Sequence, residues 1–227
     1  MLCQLYGVSH NSTELELVNA NSVLWVNIMH QSSLDKMERF VKQYLVELRD
    51  KPLKILDLGS MDINGSYKRF FVNQQWKYIG IDLAEGRNVD VVLSDPYQWK
   101  EITANSHDVV VSGQAFEHME YFWSVMQQIE RVVKPEGLIC IIAPSRGYEH
   151  RYPVDCWRFY PDGFRGLARY VDLELLFVET QWDRLDYNVD DSDDWGDTIA
   201  VFRKPQKRTF KRKMLLGLRR WLDSQNI

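Results

Sequence analysis

Cysteine is scarce in this 227-residue chain: Cys3, Cys140 and Cys156 are an odd number without paired spacing. That pattern supports neither a disulfide framework nor a zinc site. No stretch approaches the roughly 18 consecutive apolar residues of a membrane span. The start, Met1-Leu2-Cys3-Gln4-Leu5, lacks the basic residues and apolar run of a signal peptide. A cytoplasmic protein is therefore expected, and the triplets Asn11-Ser12-Thr13 and Asn64-Gly65-Ser66 carry no weight as glycosylation sites. Positive charge is not in excess either. With a net charge of −4, the chain as a whole is not built to attract nucleic acid, and no such partner is expected. What is abundant is apolar and aromatic material. Apolar residues make up 45% and charged residues 26%, a globular composition that can bury a substantial core. Eight Trp, eleven Tyr and ten Phe exceed the needs of that core, so some are expected around a pocket.

Periodicity divides the chain. Residues 1–29 show no clear period and read as a cap or partner-facing arm. Leu34, Met37, Phe40, Val41, Tyr44, Leu45 and Leu48 then recur at helical spacing behind Ser33, a good N-cap, and Pro52 lies just beyond. Residues 53–58 form an apolar strand that runs into Gly59, and residues 66–72 read as the helix after a turn closed by Gly65. Strands follow at 77–82, 89–93, 107–112 and 138–143. A helix between the last two buries Met119, Phe122, Trp123, Met126, Ile129, Val132 and Val133. Strands alternating with helices imply βαβ units, hence an α/β fold with a doubly wound, mostly parallel sheet covered on both faces. Beyond it lie an aromatic and polar loop at 145–162, a short helix at 161–170, and strands at 173–180 and 198–203, separated by an acidic stretch at 183–197. The reading divides the chain into an N-terminal arm and helix (1–52), a central domain (53–204) and a basic amphipathic segment (205–227).

Acidic residues punctuate the strand ends. Asp57 lies in the first strand, followed by Gly59, Ser60 and Gly65. Asp82 closes the second and is followed by Leu83; Asp95 and Pro96 follow the third; the fourth enters Gln114-Ala115-Phe116-Glu117-His118. A carboxylate at the end of a second strand can accept both hydroxyls of a ribose, and one past the third suits an adenine amine. Each has an ordinary alternative: a solvated strand-end acid for Asp82, an Asp-Pro turn for Asp95. The order and spacing of these segments, with Val133-Lys134-Pro135-Glu136-Gly137 before the fifth strand, resemble class I S-adenosylmethionine-dependent methyltransferases over residues 53–145. The first turn departs from that family's pattern in carrying fewer glycines, and the G-x-G-x-x-G of dinucleotide-binding proteins is not met.

The resemblance implies a Rossmann-like fold with a seven-stranded sheet and S-adenosyl-L-methionine as cofactor, with S-adenosyl-L-homocysteine as product. It implies contacts from Asp57, Gly59, Ser60, Gly65, Asp82, Leu83, Asp95, Pro96, Gln114 and Phe116. The run from His150 to Asp162 is similar to a subgroup associated with polysaccharide and glycan biosynthesis, which implies O-methylation of a sugar hydroxyl. An amine acceptor, or cofactor binding without catalysis, stands as the alternative. Candidate bases for an alcohol acceptor are His118, His150 and Asp155. His118 could instead pack on the cofactor, and Asp155 could anchor Arg151 or Arg158. Trp157 and Phe159 are acceptor platform or core. No metal site is expected, because the acidic run at 186–197 lacks the glycine and the final Glu of an EF-hand loop. A small-molecule or glycan acceptor is the expected partner. The 205–227 segment could meet an anionic membrane or a protein, or fold back on its own domain. Oligomeric state is not legible.

Overall fold

The protein is described here from a computed structural model, which describes residues 29–63, 65–187, 190–207 and 210–226. The arm expected before residue 29, like Cys3, lies outside them. Seven strands form one sheet: β1 (Leu53–Leu58), β2 (Trp76–Asp82), β3 (Val91–Val92), β4 (His107–Gly113), β5 (Val133–Ala143), β6 (Glu174–Thr180) and β7 (Thr198–Arg203). Their order is β3-β2-β1-β4-β5-β7-β6. β1 to β5 run parallel, whereas β7 is antiparallel to both β5 and β6. This is the doubly wound, mostly parallel architecture that the alternation implied, with the seven strands that the resemblance implied.

Both faces of the sheet are apolar, as helices on either side require. Period-two alternation sends Val110, Ile139, Ile141, Ala200 and Phe202 to one face and Val109, Val111, Cys140, Ile142, Ile199 and Val201 to the other. The first face packs under α2 (Phe122–Val132) and α3 (Pro161–Val171), with Trp99 and Phe116 in the same cluster. Burying a Trp or Phe there stabilises by ~1.5–3 kcal/mol or more. The second face lies under α1 (Gln31–Phe40), where Leu34, Met37 and Phe40 are buried at helical spacing.

Local boundaries moved from the expected ones for identifiable reasons. His30, not Ser33, precedes α1, and the helix tightens and loosens irregularly through residues 41–48. Ser33 sits inside the helix, fully buried, with its hydroxyl 2.5 Å from that of Tyr67. The helix expected at 66–72 is a single tight 3₁₀ turn, Tyr67–Phe71, capped by the Ser66 hydroxyl. β3 is two residues long rather than five. β5 starts at Val133, because the turn expected at 134–137 is an irregularity within the strand, with Glu136 left-handed.

The basic segment folds back. Helix α5 (Phe210–Asn226) packs on α2, with Leu216 buried, and bonds to α3 through Tyr170. Arg220 Nη1 donates to Glu130 at 2.7 Å, while Gln127 and Tyr170 both donate to Asp223, at 2.5 and 2.9 Å. Met214, Leu215 and Leu218 stay exposed on the outer side. Among the described residues no helix is long and apolar enough to cross a membrane.

One close approach tests this packing. A Cβ on Gly113 would stand 1.9 Å from the Tyr67 hydroxyl and 2.5 Å from its ring, so β4 and the Ser66–Tyr67 turn can meet only because residue 113 has no side chain. Gly113→Ala is expected to destabilise the fold by ~1–3 kcal/mol, the range for overpacking a filled core. Urea unfolding measures it, and an unchanged midpoint would show that Tyr67 is not seated against this strand.

Candidate active site

β1 and β4 are neighbours whose chains continue to opposite halves of the sheet. Their carboxyl ends therefore leave a crevice that neither connection crosses, the position where open α/β sheets bind ligands. A cavity of about 1080 Å³ opens there. Leu58, Gly59, Asp82, Leu83, Pro96 and Gln114 line one end of its wall; Glu117, His118, His150 and Trp195 are among those lining the other part. The size is at the upper end of what small-molecule sites use.

The wall built by β1, β2 and β3 has its own logic. Gly59 adopts φ +73°, and a Cβ there would lie 2.8 Å from that of Ala115, so the turns after β1 and β4 can touch only because residue 59 is glycine. The Asp82 carboxylate is held at the end of β2 by the backbone N–H groups of Leu83 (2.7 Å) and Met61 (3.2 Å). Gln114 is also left-handed, at φ +53°, and its amide nitrogen donates to Ser33 (3.2 Å) and Asp197 (3.0 Å) while the residue lines the cavity.

Several implied contacts fall elsewhere. Asp57 shares its face of β1 with Leu53 and Ile55, so its carboxylate turns under α1, where the Tyr78 hydroxyl donates to it. It is 3% exposed and outside the cavity lining. Burial, helped by nearby Asp82 and opposed by the Tyr78 bond, pushes its pKa up to about 7. Ser60 donates to the Asn88 carbonyl (3.0 Å), and Gly65 N–H donates to Asp62 (2.9 Å); neither lines the cavity. Asp95 is the turn anchor that its neighbouring proline suggested: Oδ1 accepts from Tyr97 N (2.7 Å) and Gln98 N (3.0 Å). It opens on a separate cavity of about 290 Å³ beside α5. Phe116 is fully buried, packed edge-on against Phe159, and acts as core.

The other wall is made by the β4 turn and the loop after β5, which are bonded together. The Glu117 carbonyl accepts the backbone N–H groups of Cys156 (2.7 Å) and Trp157 (3.2 Å), and His118 Nδ1 lies 2.6 Å from the Val154 carbonyl. His150 is wedged edge-on against His118 and Trp195, with ring centroids 4.9 and 4.4 Å away. The structure thus unites His118 and His150. Asp155 is different. Both its oxygens are taken by Arg158, at 2.6 and 2.8 Å, and it accepts the His150 N–H at 2.8 Å. Burial raises the Asp155 carboxyl, but Arg158 and the His150 amide outweigh it and hold it at about 2. It is an anchor for the loop rather than a base. Trp157 likewise pins the loop, donating to the Met119 carbonyl at 3.0 Å, and Phe159 is core.

Burial lowers the pKa of both histidines, opposed by the Val154 carbonyl for His118 and by Asp155 for His150. Between them and the core lies a residue that sequence reasoning gave no role. Glu117 has a fully buried side chain with neither oxygen hydrogen-bonded, and burial raises its carboxyl to about 8. No local signal distinguishes it from any acid after a strand. The acidic stretch is tied down by internal hydrogen bonds. Asp193 accepts from Leu185 N (2.7 Å), Tyr187 N (2.9 Å) and Gln181 (3.0 Å), and Asp190 accepts from Gln31 N (2.7 Å) and Ser192 N (2.9 Å). Asp197, fully buried, accepts from Ser32 (2.7 Å) as well as Gln114.

Comparison with known proteins agrees with this geometry. Residues 56–141 match a family described as a methyltransferase domain. A candidate sarcosine dimethylglycine methyltransferase from Galdieria sulphuraria is 18% identical, with a TM-score of 0.57 over 79% of this chain and 93% of that one. An S-adenosylmethionine-dependent methyltransferase from Archaeoglobus fulgidus is 15% identical, with a TM-score of 0.55 over 76% and 95%. The 1,6-didemethyltoxoflavin-N1-methyltransferase of Burkholderia thailandensis, solved with S-adenosylhomocysteine, is 13% identical, with a TM-score of 0.57 over 77% and 79%. No curated protein matches the sequence. At these identities the structural likeness establishes the fold, and residues 56–141 are similar to a methyltransferase domain. S-adenosylmethionine is the cofactor of such a domain, and the crevice suits it in position, in size and in the carboxylate at the end of β2.

Asp57 gives this arrangement a pH signature. Its folded pKa lies above the ordinary carboxylate value, so the folded chain binds more protons than the unfolded one between about pH 4 and 7. Stability therefore falls as pH rises through that window, by up to ~1.4 kcal/mol per pH unit from this group. Asp57→Asn is expected to flatten the slope in denaturant titrations across pH 4–8. An identical slope in the variant would refute the assignment.

Proposed function

We propose that this S-adenosylmethionine-dependent methyltransferase methylates a hydroxyl group on a sugar, glycan or glycan precursor. The observation that carries the choice of acceptor is the state of the acidic residues at the cavity mouth. A cationic amine would call for free carboxylates, yet each of these already has partners. Asp190 and Asp193 accept backbone N–H groups, Asp194 pairs with Arg184 at 3.0 Å, and Asp191 stands 3.4 Å from His30. What the mouth offers instead is a mixture of Tyr148, Arg151, Tyr152, Tyr187 and Trp195. Aromatic faces with neutral and charged donors suit a polar molecule bearing many hydroxyls.

In this reading Asp82, with Leu83, Pro96 and Gln114 beside it, orients the cofactor's nucleoside from the β2 side of the crevice. S-adenosylmethionine, when bound, supplies an electrophilic methyl group on a sulfonium. In-line displacement by an oxygen depends chiefly on positioning, with the hydroxyl proton leaving as the oxygen attacks. Glu117, His118 and His150 are the groups placed to receive or stabilise that change. Asp57, Ser60 and Gly65 contribute by shaping the turn after β1 from behind. An amine acceptor is the second reading, favoured by the N1-methyltransferase among the structural neighbours. The same proposal puts the reaction in the cytoplasm, with the exposed Met214, Leu215 and Leu218 of α5 available for peripheral contact with an anionic membrane.

Calorimetry with S-adenosylhomocysteine tests the cofactor wall. Asp82→Ala is expected to weaken binding by ~10- to 100-fold, the loss of one or two hydrogen bonds to a charged acceptor. Equal affinity in the variant would remove Asp82 from the site. A methyl-release screen of sugars against amines tests the acceptor. With an accepted sugar, His118→Ala and His150→Ala should each lower kcat by ~100-fold or more while cofactor affinity holds. Turnover of amines alone would overturn the hydroxyl reading, and indifference to both substitutions would overturn the catalytic role of this wall.

A further inference from the structure

Glu117 presents a chemical problem that the fold does not solve by itself. Its carboxylate is fully buried at the floor of the cavity, and neither oxygen has a hydrogen-bond donor. A buried polar group left in that state costs on the order of 1–3 kcal/mol, and a charged one more. Facing it, His118 Nε2 lies 3.7 Å from Oε1. The Val154 carbonyl can only accept, so the His118 proton resides on Nδ1, 2.6 Å from that oxygen. Nε2 therefore turns a lone pair, not an N–H, toward the carboxylate. With Glu117 ionised, two electron-rich atoms face each other across 3.7 Å, and a proton or a metal cation between them removes the conflict.

A third donor completes the set. One nitrogen of His150 joins the Glu117 and His118 atoms in a cluster whose members all lie within 4.8 Å of one another. Donors bound to one ion at ~2.0–2.2 Å stand roughly 3–4 Å apart, so side-chain adjustment alone closes the site. The surroundings are those of ligating imidazoles. His118 is backed by a main-chain carbonyl, and His150 Nδ1 stands 3.2 Å from Asp155, itself clamped by Arg158, close enough for a small ring rotation to make the bond it now lacks. Such backing by a carbonyl or carboxylate orients metal-binding histidines and raises their basicity.

We propose that Glu117, His118 and His150 bind one divalent transition-metal ion. Two imidazoles and one carboxylate select the manganese-to-zinc series over magnesium or calcium, which prefer all-oxygen sites. Three protein ligands leave positions open toward the cavity. This departs from the expectation of no metal, because the ligands are neither cysteines nor the acidic run but a Glu-His pair joined to a distant loop. The ion's role deepens the proposed reading and rests on it, whereas its binding does not. An acceptor hydroxyl coordinated there would lose its proton to water. Its oxygen would then form the new bond to the methyl carbon as the carbon–sulfur bond breaks, and the sulfonium becomes a thioether.

The test uses the full chain, stripped with a chelator and titrated with Co²⁺ and Zn²⁺. One equivalent should bind, with visible absorption bands for Co²⁺, and Glu117→Gln should weaken binding on the order of 100-fold. Because Glu117 is buried, His150→Ala on the loop serves as a second variant, and S-adenosylhomocysteine affinity checks that both are folded. No binding by the wild type, equal binding by both folded variants, or binding of Mg²⁺ alone would overturn the site. Ion binding with no sugar methylated would leave the site standing and remove only the hydroxyl reading. Sugar methylation that survives complete removal of the ion would remove its catalytic role.

Discussion

β1 and β4 are hydrogen-bonded along their length, yet the chain leaves them in opposite directions, to β2 and β3 on one side and to β5, β7 and β6 on the other. That reversal is a constraint of connectivity rather than of any side chain. It guarantees an opening at the carboxyl edge, and everything chemically distinctive about this protein lies around it. The contact between Gly59 and Ala115 sets how closely the two turns at its base approach. Three strands then supply a wall suited to a nucleoside, while the loop after β5 supplies a wall unrelated in sequence. In the proposed reading, cofactor and acceptor sites are separated because the two halves of the sheet are.

The second wall is unusually well tied for a long loop. Main-chain bonds from Cys156 and Trp157 to Glu117, the His118–Val154 contact, and Phe159 N–H to the Pro144 carbonyl at 2.8 Å fix it at several points. Arg158 holds Asp155 with both of its terminal nitrogens, a planar geometry that Lys could not reproduce. A loop held this way keeps His150 beside His118 without a helix or strand to carry it. Buried polar groups on the opposite side have the same role. Asp197, Gln114, Ser32 and Ser33 connect β7, the β4 turn and α1 through bonds of 2.7–3.2 Å. Each is satisfied by the others, which is the condition for polar groups to be tolerated there. On the Glu117 wall the bonding is incomplete: both Glu117 oxygens, His150 Nδ1, Arg158 Nε and Trp195 Nε1 are buried without a hydrogen-bond partner, and such groups call for an explanation.

Asp57, Asp82, Asp95 and Asp155 look alike in the sequence and have four different fates. Asp82 lines the cavity because it is the last residue of its strand, held at the rim by two backbone amides. Asp57 lies one residue short of the end of β1, and strand alternation turns it to the packed side, onto Tyr78. Asp95 satisfies its own turn, and Asp155 satisfies Arg158. Spacing along a chain identifies a strand end, but which face a residue takes depends on pairing with neighbours far away in sequence.

The sequence by itself determined the sheet. Alternating apolar strands and amphipathic helices have few compatible topologies, and the pattern of local periods carries that information. It also singled out Gly59, Asp82, His118 and His150 by their positions at or after strand ends, and these line the cavity. Only the tertiary structure decided that Asp57, Asp95, Phe116 and Asp155 support the site without lining it. Only the tertiary structure set Glu117 beside two histidines, and folded α5 onto α2 and α3. The Glu117 cluster and the α5 docking rest on contacts between residues far apart in the chain, and the other outcomes on which hydrogen bonds each group finds once the chain has closed.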